Sequence, residues 1–219
     1  MLSPAQRHMM RVSAAQASQR EDDPLRQATG YEQMLFRLAA DKRTLKQVHS
    51  QERKAEIKRG LLLNYAPWVT GVLSNGRGAQ DAVLMTVMVW RLDAGDIPGA
   101  LEIARYALPH KLLMPFGTRS TPYLLAEEVA ESATRAHTAG QPVSIDDLLT
   151  TLTLTDEEDM PDQVRAKLHK IIGLLLRDND KPEQALPHLK RAFQLDSRCG
   201  VKKDIERLET RLRKAAASR

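Results

Sequence analysis

The sequence contains very little cysteine and few aromatic residues. Cys199 is the single cysteine among 219 residues, so no disulfide can form within the chain, and we expect a reducing compartment such as the cytosol. Aromatic residues make up 4% of the chain, whereas hydrophobic residues as a whole make up 42%. Because no region shows a regular alternation of β-branched residues, this composition favours an all-α protein.

Long apolar runs are missing as well. No stretch approaches the roughly 18 to 20 apolar residues that span a bilayer, so we expect no membrane partner. The first ten residues, MLSPAQRHMM, lack the apolar segment of a secretory signal. The length of the chain leaves room for one or two domains with a sizeable core.

The sequence carries no recognisable active-site motif. The six histidines form no pair at metal-ligand spacing, and no nearby histidine would activate Cys199. The four adjacent carboxylates of Asp156–Asp159 cannot all face one ion on a regular backbone, so we interpret them as an acidic linker. We therefore predict no catalytic residue, no metal site and no cofactor.

Two Glu-x-Lys triplets leave a nuclease as an alternative. They are Glu52-Arg53-Lys54 and Glu56-Ile57-Lys58. Metal-dependent nucleases hold this motif on a strand, whereas both triplets fall on a predicted helix. A catalytic role is thus the less favoured interpretation.

The most apolar part of the chain, Ala79–Leu108, predicts a buried helical hairpin. Asp81 is placed to cap a helix whose following residues are almost all apolar, and Gly95 marks its end. Asp96 can cap the second helix, and Pro98 fits its first turn. We expect the rest of the fold to pack around this central hairpin.

A second, weaker helix pair is predicted over Leu174–Asp196. Gly173, Ala185 and Ala192, with Leu189 between them, match the small-residue positions of a tetratricopeptide helix pair. Any antiparallel helix pair needs small residues where its backbones approach, so the generic interpretation stays open. The two hairpins lie too far apart in sequence for a solenoid, in which consecutive repeats follow one another directly.

Charge is unevenly distributed over the chain. Residues 1–60 hold 12 basic against 7 acidic residues, residues 61–200 hold 14 against 18, and residues 201–219 hold 7 against 3. Basic ends therefore flank an acidic middle. This arrangement suggests a polyanionic partner at one or both ends and a protein partner elsewhere.

Residues 27–63 predict one long helix, or two with a break near Gly60. A weak coiled-coil seam runs along it, and Asp41 and Glu52 occupy two positions where the seam should be apolar. Because so charged a helix is not expected deep in a monomer core, we predict that it contacts copies of the same chain. The seam residues at this contact would be Tyr31, Met34, Leu38, Leu45 and Val48.

Five phrases of the sequence resemble one protein family. They are SPAQRHMMRVSAA at Ser3–Ala15, YEQML at Tyr31–Leu35, the central phrase within Ala79–Leu108, MPD-VRAKLHKI-GLLLRD within Met160–Asp178, and GVKKDIERLE at Gly200–Glu209. These phrases are similar to the small terminase subunit of peduovirus-type temperate tailed phages, which is often labelled the terminase endonuclease subunit. The resemblance runs over almost the whole chain.

The resemblance implies a DNA-packaging protein of the host cytoplasm. Such subunits recognise the packaging site on double-stranded viral DNA, form a homo-oligomer, usually a ring, and recruit the large terminase subunit, which supplies the ATPase and nuclease activities. Cutting would then belong to the complex, and this chain would have no catalytic centre of its own. No unmistakable helix-turn-helix is present near the N-terminus.

Three regions follow from the resemblance and the charge distribution. Residues 1–60 would bind DNA and form the oligomer, residues 61–155 would form the central helical core, and residues 156–219 would dock the large subunit. The basic residues expected to contact DNA phosphates are Arg7, Arg11, Arg20 and Arg26 on an N-terminal arm, and Lys42, Arg43, Lys46, Arg53, Lys54 and Lys58 on a helix. The alternatives are a helical adaptor that binds only protein and a subunit that contributes endonuclease activity itself.

Overall fold

The computed structural model describes residues 3–18 and 28–217, and within these ranges it contains ten helices and no strand. The predicted all-α class is confirmed. By its internal contacts the chain divides into two compact units, residues 1–121 and 122–219. Across these described ranges, no helix combines the length and the apolarity that a membrane crossing requires.

Within the described ranges, the connections between helices have six residues or fewer, except for residues 108–120 between α5 and α6. Those of the first unit are α1 (Pro4–Ser18), α2 (Ala28–Lys46), α3 (Gln51–Asn75), α4 (Ala82–Ala94) and α5 (Ile97–Ala107). Those of the second are α6 (Thr121–Thr138), which begins at the boundary, α7 (Ile145–Thr155), α8 (Asp162–Asp178), α9 (Pro182–Leu195) and α10 (Lys202–Ala217).

Helix α1 begins with a reciprocal cap. The Ser3 hydroxyl accepts a hydrogen bond from the Gln6 amide, and the Gln6 side-chain oxygen accepts one from the Ser3 amide. The helix packs closely on α3, because Gly71 leaves room for the α1 backbone: a Cβ at Gly71 would overlap the Arg11 carbonyl oxygen. The N-terminal segment is thus a packed helix over Pro4–Ser18.

The sequence suggested a possible helix break near Gly60, but the break between α2 and α3 lies elsewhere. The chain turns at residues 47–50, and Ser50 caps α3 by accepting a hydrogen bond from the Arg53 amide. Gly60 lies inside the 25-residue helix α3, which continues to Asn75. A glycine weakens a helix but does not by itself end one, whereas a serine cap supplies an alternative partner for the first amides.

The central hairpin has the predicted form. The buried Asp81 carboxylate accepts hydrogen bonds from the amides of Val83 and Leu84, and Gly95 ends α4 in the left-handed conformation at φ 82°. The Asp96 carboxylate accepts from the Gly99 amide and so caps α5. Eight of the first eleven residues of α4 are buried, which agrees with a helix that is covered on nearly all sides.

Helix α3 connects the other elements of the first unit, since it contacts α1, α2, α4 and α5. Its buried Trp68 indole donates a hydrogen bond to the Asp81 carboxylate at 2.8 Å, and the ring stacks on Tyr31 of α2. One turn earlier, the Tyr65 hydroxyl donates to Asp41 at 2.6 Å, while its ring meets Trp90 edge-on. Aromatic rings with satisfied polar ends therefore hold α2, α3 and α4 together.

The second unit is built around α8 and α9. Gly173 allows their close contact, because a Cβ there would lie 2.5 Å from Leu189 Cδ2. Ala185, Leu189 and Ala192 are fully buried at the same contact. The expected small-residue packing of this helix pair is confirmed, whereas its likeness to a tetratricopeptide pair stays a prediction.

Charged side chains join the remaining helices to α8. Lys167 bonds Glu131 of α6 at 2.7 Å, and Arg177 bonds Asp204 of α10 at 2.7 Å. Arg165 lies 3.5 Å from Asp156, at the start of the predicted acidic linker. In the part of the chain that the structure describes, no group of three or more His, Cys, Asp or Glu side chains is arranged to hold a metal ion.

Candidate nucleic-acid interface

The turn between α2 and α3 brings four of the predicted DNA-binding residues together. Arg43 and Lys46 lie in the last turn of α2, and Arg53 and Lys54 lie in the first turn of α3. Amides after α2 bond back to the Thr44 and Leu45 carbonyls, so the connection between the two helices is short and ordered. We call these four residues the basic turn.

The basic turn is open to solvent. Arg43, Lys46 and Arg53 are exposed, and Lys54 is partly exposed. Within the described residues, none of the four side chains takes part in an ion pair. Four positive charges are therefore not neutralised by any other residue that the structure describes.

The helix dipoles affect the two halves of the basic turn differently. Arg43 and Lys46 complement the partial negative charge at the C-terminus of α2, which is a favourable arrangement within the chain. Arg53 and Lys54 add to the partial positive charge at the N-terminus of α3, which is unfavourable unless an anion is nearby. Glu52 in the same turn supplies one negative charge, and a phosphate group would be a further favourable partner at this end of the helix.

Lys42 and Lys58 make contacts within the fold. The Lys58 ammonium lies 2.5 Å from the Asp93 carboxylate, and its side chain is only 14% exposed. The Lys42 ammonium donates to the Thr86 hydroxyl at 3.3 Å and lies over the Phe116 ring, and burial lowers its pKa. Both lysines hold α2 or α3 to other parts of the first unit, so they are less available than the basic turn.

The N-terminal arginines divide between two parts of the chain. Arg7 and Arg11 are exposed one helical turn apart on α1, whereas Arg20 and Arg26 lie outside the described residues. Arg11 packs at Gly71, in the last part of α3, whereas Arg53 lies in the first turn of the same helix. At about 1.5 Å per residue, the α1 backbone at Arg11 therefore lies about 27 Å from Arg53 along α3.

The residues of the predicted coiled-coil seam lie against the core of the first unit. Met34, Leu38 and Leu45 are 2%, 3% and 6% exposed. The Tyr31 hydroxyl accepts a hydrogen bond from the Ala82 amide, and burial raises the pKa of this phenol. Val48 is half-buried. The premise that so charged a helix could not pack on a monomer core is wrong, because α2 buries one narrow face. A role of these residues in contacts between copies stays a prediction.

Sequence reasoning missed the use of Asp41 as a partly buried hydrogen-bond acceptor. Its position in the seam suggested a defect, yet the carboxylate accepts a hydrogen bond from the Tyr65 hydroxyl. The Arg37 guanidinium lies over the Tyr65 ring, so both groups help to fix the tyrosine side chain. Burial and Asp41 together raise the pKa of Tyr65 above its usual range. The acid and the tyrosine lie on different helices, so no local pattern in the sequence would reveal the pair.

A pair of histidines in the second unit also gave no signal in sequence. Nδ1 of His169 on α8 and Nδ1 of His188 on α9 lie 3.1 Å apart, so one neutral ring donates to the other. Burial, the neighbouring ring and the guanidinium groups of Arg191 and Arg165 lower the pKa of His169 to about 4. Burial also lowers the pKa of His188.

Comparisons with known proteins identify the family. The chain is 63% identical over 214 residues to "Terminase, endonuclease subunit" of Escherichia phage P2. The aligned region covers 97% of this chain and 87% of that relative. The chain is also 28% identical over 196 residues to "Probable terminase, endonuclease subunit" of Haemophilus phage HP1, and this alignment covers 83% of this chain and 70% of that relative. No solved structure matches the chain. Residues 35–163 match the family described as "Phage small terminase subunit", and the chain therefore belongs to the phage small terminase subunit family.

Proposed function

We propose that this small terminase subunit binds double-stranded viral DNA through its N-terminal region, assembles with copies of itself and recruits the large terminase subunit in the host cytoplasm. Membership of the family supports the role in DNA packaging. The observation that carries the DNA-binding part is the basic turn, whose four cations have no ion pair within the described chain.

Two separate groups of cations would contact the duplex. The basic turn is the first, and the exposed arginines of α1 are the second, about 27 Å away along α3. This separation is shorter than one helical turn of DNA, about 34 Å, so both groups can reach the backbone of one duplex. Arg20 and Arg26 remain candidates on the intervening segment. Lys42 and Lys58 contribute mainly by holding the helices in place.

Charge reversal in the basic turn tests DNA binding. Arg53→Glu combined with Lys54→Glu should weaken DNA affinity at least tenfold and make the slope of log affinity against log salt shallower by about 2, because two phosphate contacts are lost. The matched control is Lys202→Glu with Lys203→Glu, which changes the net charge equally on exposed residues of α10. Affinity is measured by fluorescence anisotropy at several salt concentrations, with native mass checked first.

The result that would remove the basic turn from the DNA site is an unaltered affinity and slope. The arginines of α1 and of the intervening segment would then be the remaining candidates. An equal loss in the α10 control would instead indicate that only the net charge of the chain matters. If neither the native protein nor the control retards DNA, the result favours the alternative of an adaptor that binds only protein.

Self-assembly is proposed to use a heterologous contact between different faces of α2 and α3. Such a contact closes a ring when the rotation between neighbours is suitable. Substitution of Leu38 or Leu45 by Asp would not test it, because both side chains lie in the core of the first unit and the fold itself would be lost. Native mass of the unaltered chain, against 24.6 kDa for one copy, is the direct measurement.

Docking of the large subunit is proposed for residues 156–219. The paired helices α8 and α9 and the acidic linker before them support this division, since they lie apart in sequence from the basic turn. A chain ending at residue 121, the boundary between the two units, should keep DNA binding and lose stimulation of the large subunit. Loss of DNA binding in a truncated chain that retains its helical circular dichroism would contradict this division of labour.

An endonuclease activity in this chain is the second candidate, and the names of both relatives favour it. The two Glu-x-Lys triplets lie on α3, and Lys58 of the second is paired with Asp93. We propose that cutting belongs to the terminase complex. Incubation of viral DNA with this protein and Mg²⁺, without the large subunit, distinguishes the two: cleavage that persists after repurification would assign the nuclease to this chain.

A further inference from the structure

The first unit exposes two large apolar side chains on neighbouring helices. Leu63 of α3 is 77% exposed and Phe36 of α2 is 74% exposed, the highest values among the large hydrophobic residues that the structure describes. Each projects from the face opposite to the one that its helix buries, since Met34, Leu38 and Tyr65 point into the core. Single exposed apolar side chains are common on protein surfaces, so the residues beside them decide whether they belong to a contact surface.

A stripe on α2 runs from Phe36 through Ala40 to Arg43. These residues are spaced four and three apart, so they follow one line along the helix, and all three are exposed. At about 1.5 Å per residue, Phe36 and Arg43 are about 10.5 Å apart along the helix axis. The stripe therefore offers an aromatic ring at one end, a small residue in the middle and a cation at the other end.

A second stripe lies on α3, where the charged residue comes first along the chain and the apolar residue comes last. Glu56, Gly60 and Leu63 are exposed and are spaced four and three apart, so Glu56 and Leu63 are also about 10.5 Å apart. A Cβ at Gly60 would meet no atom within 4 Å, so nothing in the described chain requires glycine at this interior helical position, where it is unfavourable. Neither Glu56 nor Arg43 forms an ion pair within the described residues.

The two stripes are complementary when their helices run antiparallel. Phe36 then meets Leu63, Ala40 crosses Gly60, and Arg43 meets Glu56. The small residues at the crossing allow close approach of the helices, and the opposite charges favour this register over the parallel one. Both stripes are exposed on the same copy, so they can be joined only between different copies.

We propose that the α2 stripe of one copy packs antiparallel on the α3 stripe of the next copy. This inference rests on the proposed self-assembly and names its surface. The contact is heterologous, because each copy uses one stripe on each side, and each stripe remains open until the assembly closes. The surface borders the basic turn, which shares Arg43, so assembly places the basic turns of successive copies in a repeated arrangement.

Single substitutions test the apolar end. Phe36→Asp and Leu63→Asp should each raise the dissociation constant between copies by about a hundredfold and give the native mass of one chain, because each removes a central apolar contact. Both positions are exposed, so helical circular dichroism and the thermal midpoint should be retained. Leu113→Asp is the matched control, since Leu113 is 70% exposed in the same unit but belongs to neither stripe.

Mixing the two variants tests the heterologous geometry. Phe36→Asp keeps an intact α3 stripe, and Leu63→Asp keeps an intact α2 stripe. An equal mixture should therefore form dimers with one copy of each variant and nothing larger, as measured by native mass spectrometry. A symmetric contact of Phe36 with Phe36 would give no such mixed dimer, and its absence would overturn the proposal.

Charge exchange tests the polar end. Arg43→Glu and Glu56→Arg should each weaken assembly by about tenfold, and the double variant should restore it, because the opposite charges again face each other. The measurement is made without DNA, since Arg43 also belongs to the basic turn. A double variant weaker than both single variants would contradict the pairing.

The outcomes separate this surface from the function on which it rests. If the native protein has the mass of one chain at all concentrations, self-assembly itself is overturned. If it is oligomeric and both aspartate variants keep the native mass, self-assembly stands and this surface is overturned. If the variants keep the mass but lose binding of the large subunit, the surface docks that subunit and the proposed contact between copies is wrong.

Discussion

The cores of the two units are stabilised by different kinds of contact. The first unit uses aromatic side chains with hydrogen-bonded polar ends, as in the buried Trp68–Asp81 bond and the partly buried Tyr65–Asp41 bond. The second unit relies on close helix contacts at Gly173, Ala185 and Ala192, with ion pairs at its surface. Buried polar partners are costly to lose, whereas exposed ion pairs contribute little, so the two units should respond differently to substitution.

The largest expected effect comes from Asp81. Asp81→Ala removes the cap of α4 and the partner of the Trp68 indole, leaving buried donors unsatisfied, and should lower the free energy of unfolding by about 3 kcal/mol. Urea unfolding followed by tryptophan fluorescence measures it, because both tryptophans lie in the first unit. Asp96→Ala removes a less buried cap of α5 and should cost about 1 kcal/mol. Equal losses would contradict the role assigned to burial.

Two glycine contacts give the next comparison. Gly71→Ala would drive a methyl group into a backbone oxygen of α1, so α1 must move, and the loss should be about 2 kcal/mol with faster hydrogen exchange over residues 4–18. Gly173→Ala meets first the end of the Leu189 side chain, which can shift, and should cost about 1 kcal/mol. Urea unfolding is followed here by far-UV circular dichroism, because Gly173 lies in the second unit and both tryptophans lie in the first.

Gly60→Ala is the control for both glycine substitutions. With no atom within 4 Å it should stabilise α3 by about 0.5 to 1 kcal/mol. It is measured in the Phe36→Asp background, in which copies are expected to be separate. Destabilisation there would mean that helix propensity does not decide the outcome at this position.

Acid should weaken the second unit selectively. The folded His169 stays neutral down to a pKa of about 4, whereas an unfolded histidine protonates near pH 6.5, so protonation between these values favours the unfolded state. Its contribution is present above pH 6.5 and is lost as the pH falls toward 4. After allowance for partial exposure, the loss is about 1 kcal/mol. Hydrogen exchange over α8 and α9 at several pH values measures it. His169→Gln should reduce the dependence to the share contributed by His188, because burial also lowers the pKa of that residue.

The smallest stability effect distinguishes the two kinds of lysine on α3. Lys58→Ala breaks the bond to Asp93 and should cost about 0.5 to 1 kcal/mol, with DNA affinity changed little. Lys54→Ala should leave stability unchanged and weaken DNA binding by a few fold. The reverse assignment, with Lys58 dominating the affinity, would show that the lysine leaves Asp93 when DNA binds.

Local sequence patterns determined the helices and many of their ends. Asp81, Gly95 and Asp96 act within one turn of the residues that they cap or terminate, so their roles could be predicted without knowledge of the fold. The resemblance of five phrases was likewise a property of the sequence alone, and the comparisons confirm the family.

Tertiary structure decided which side chains remain available. The same helical pattern placed Lys42, Lys58, Arg53 and Lys54 among the candidates for DNA, yet contacts with Thr86 and Asp93 on another helix engage the first two. The seam of α2 is buried against the first unit, while Phe36 and Leu63 stay exposed. These outcomes depend on partners that are distant in sequence, and a periodic pattern gives the face of a helix but not what covers it.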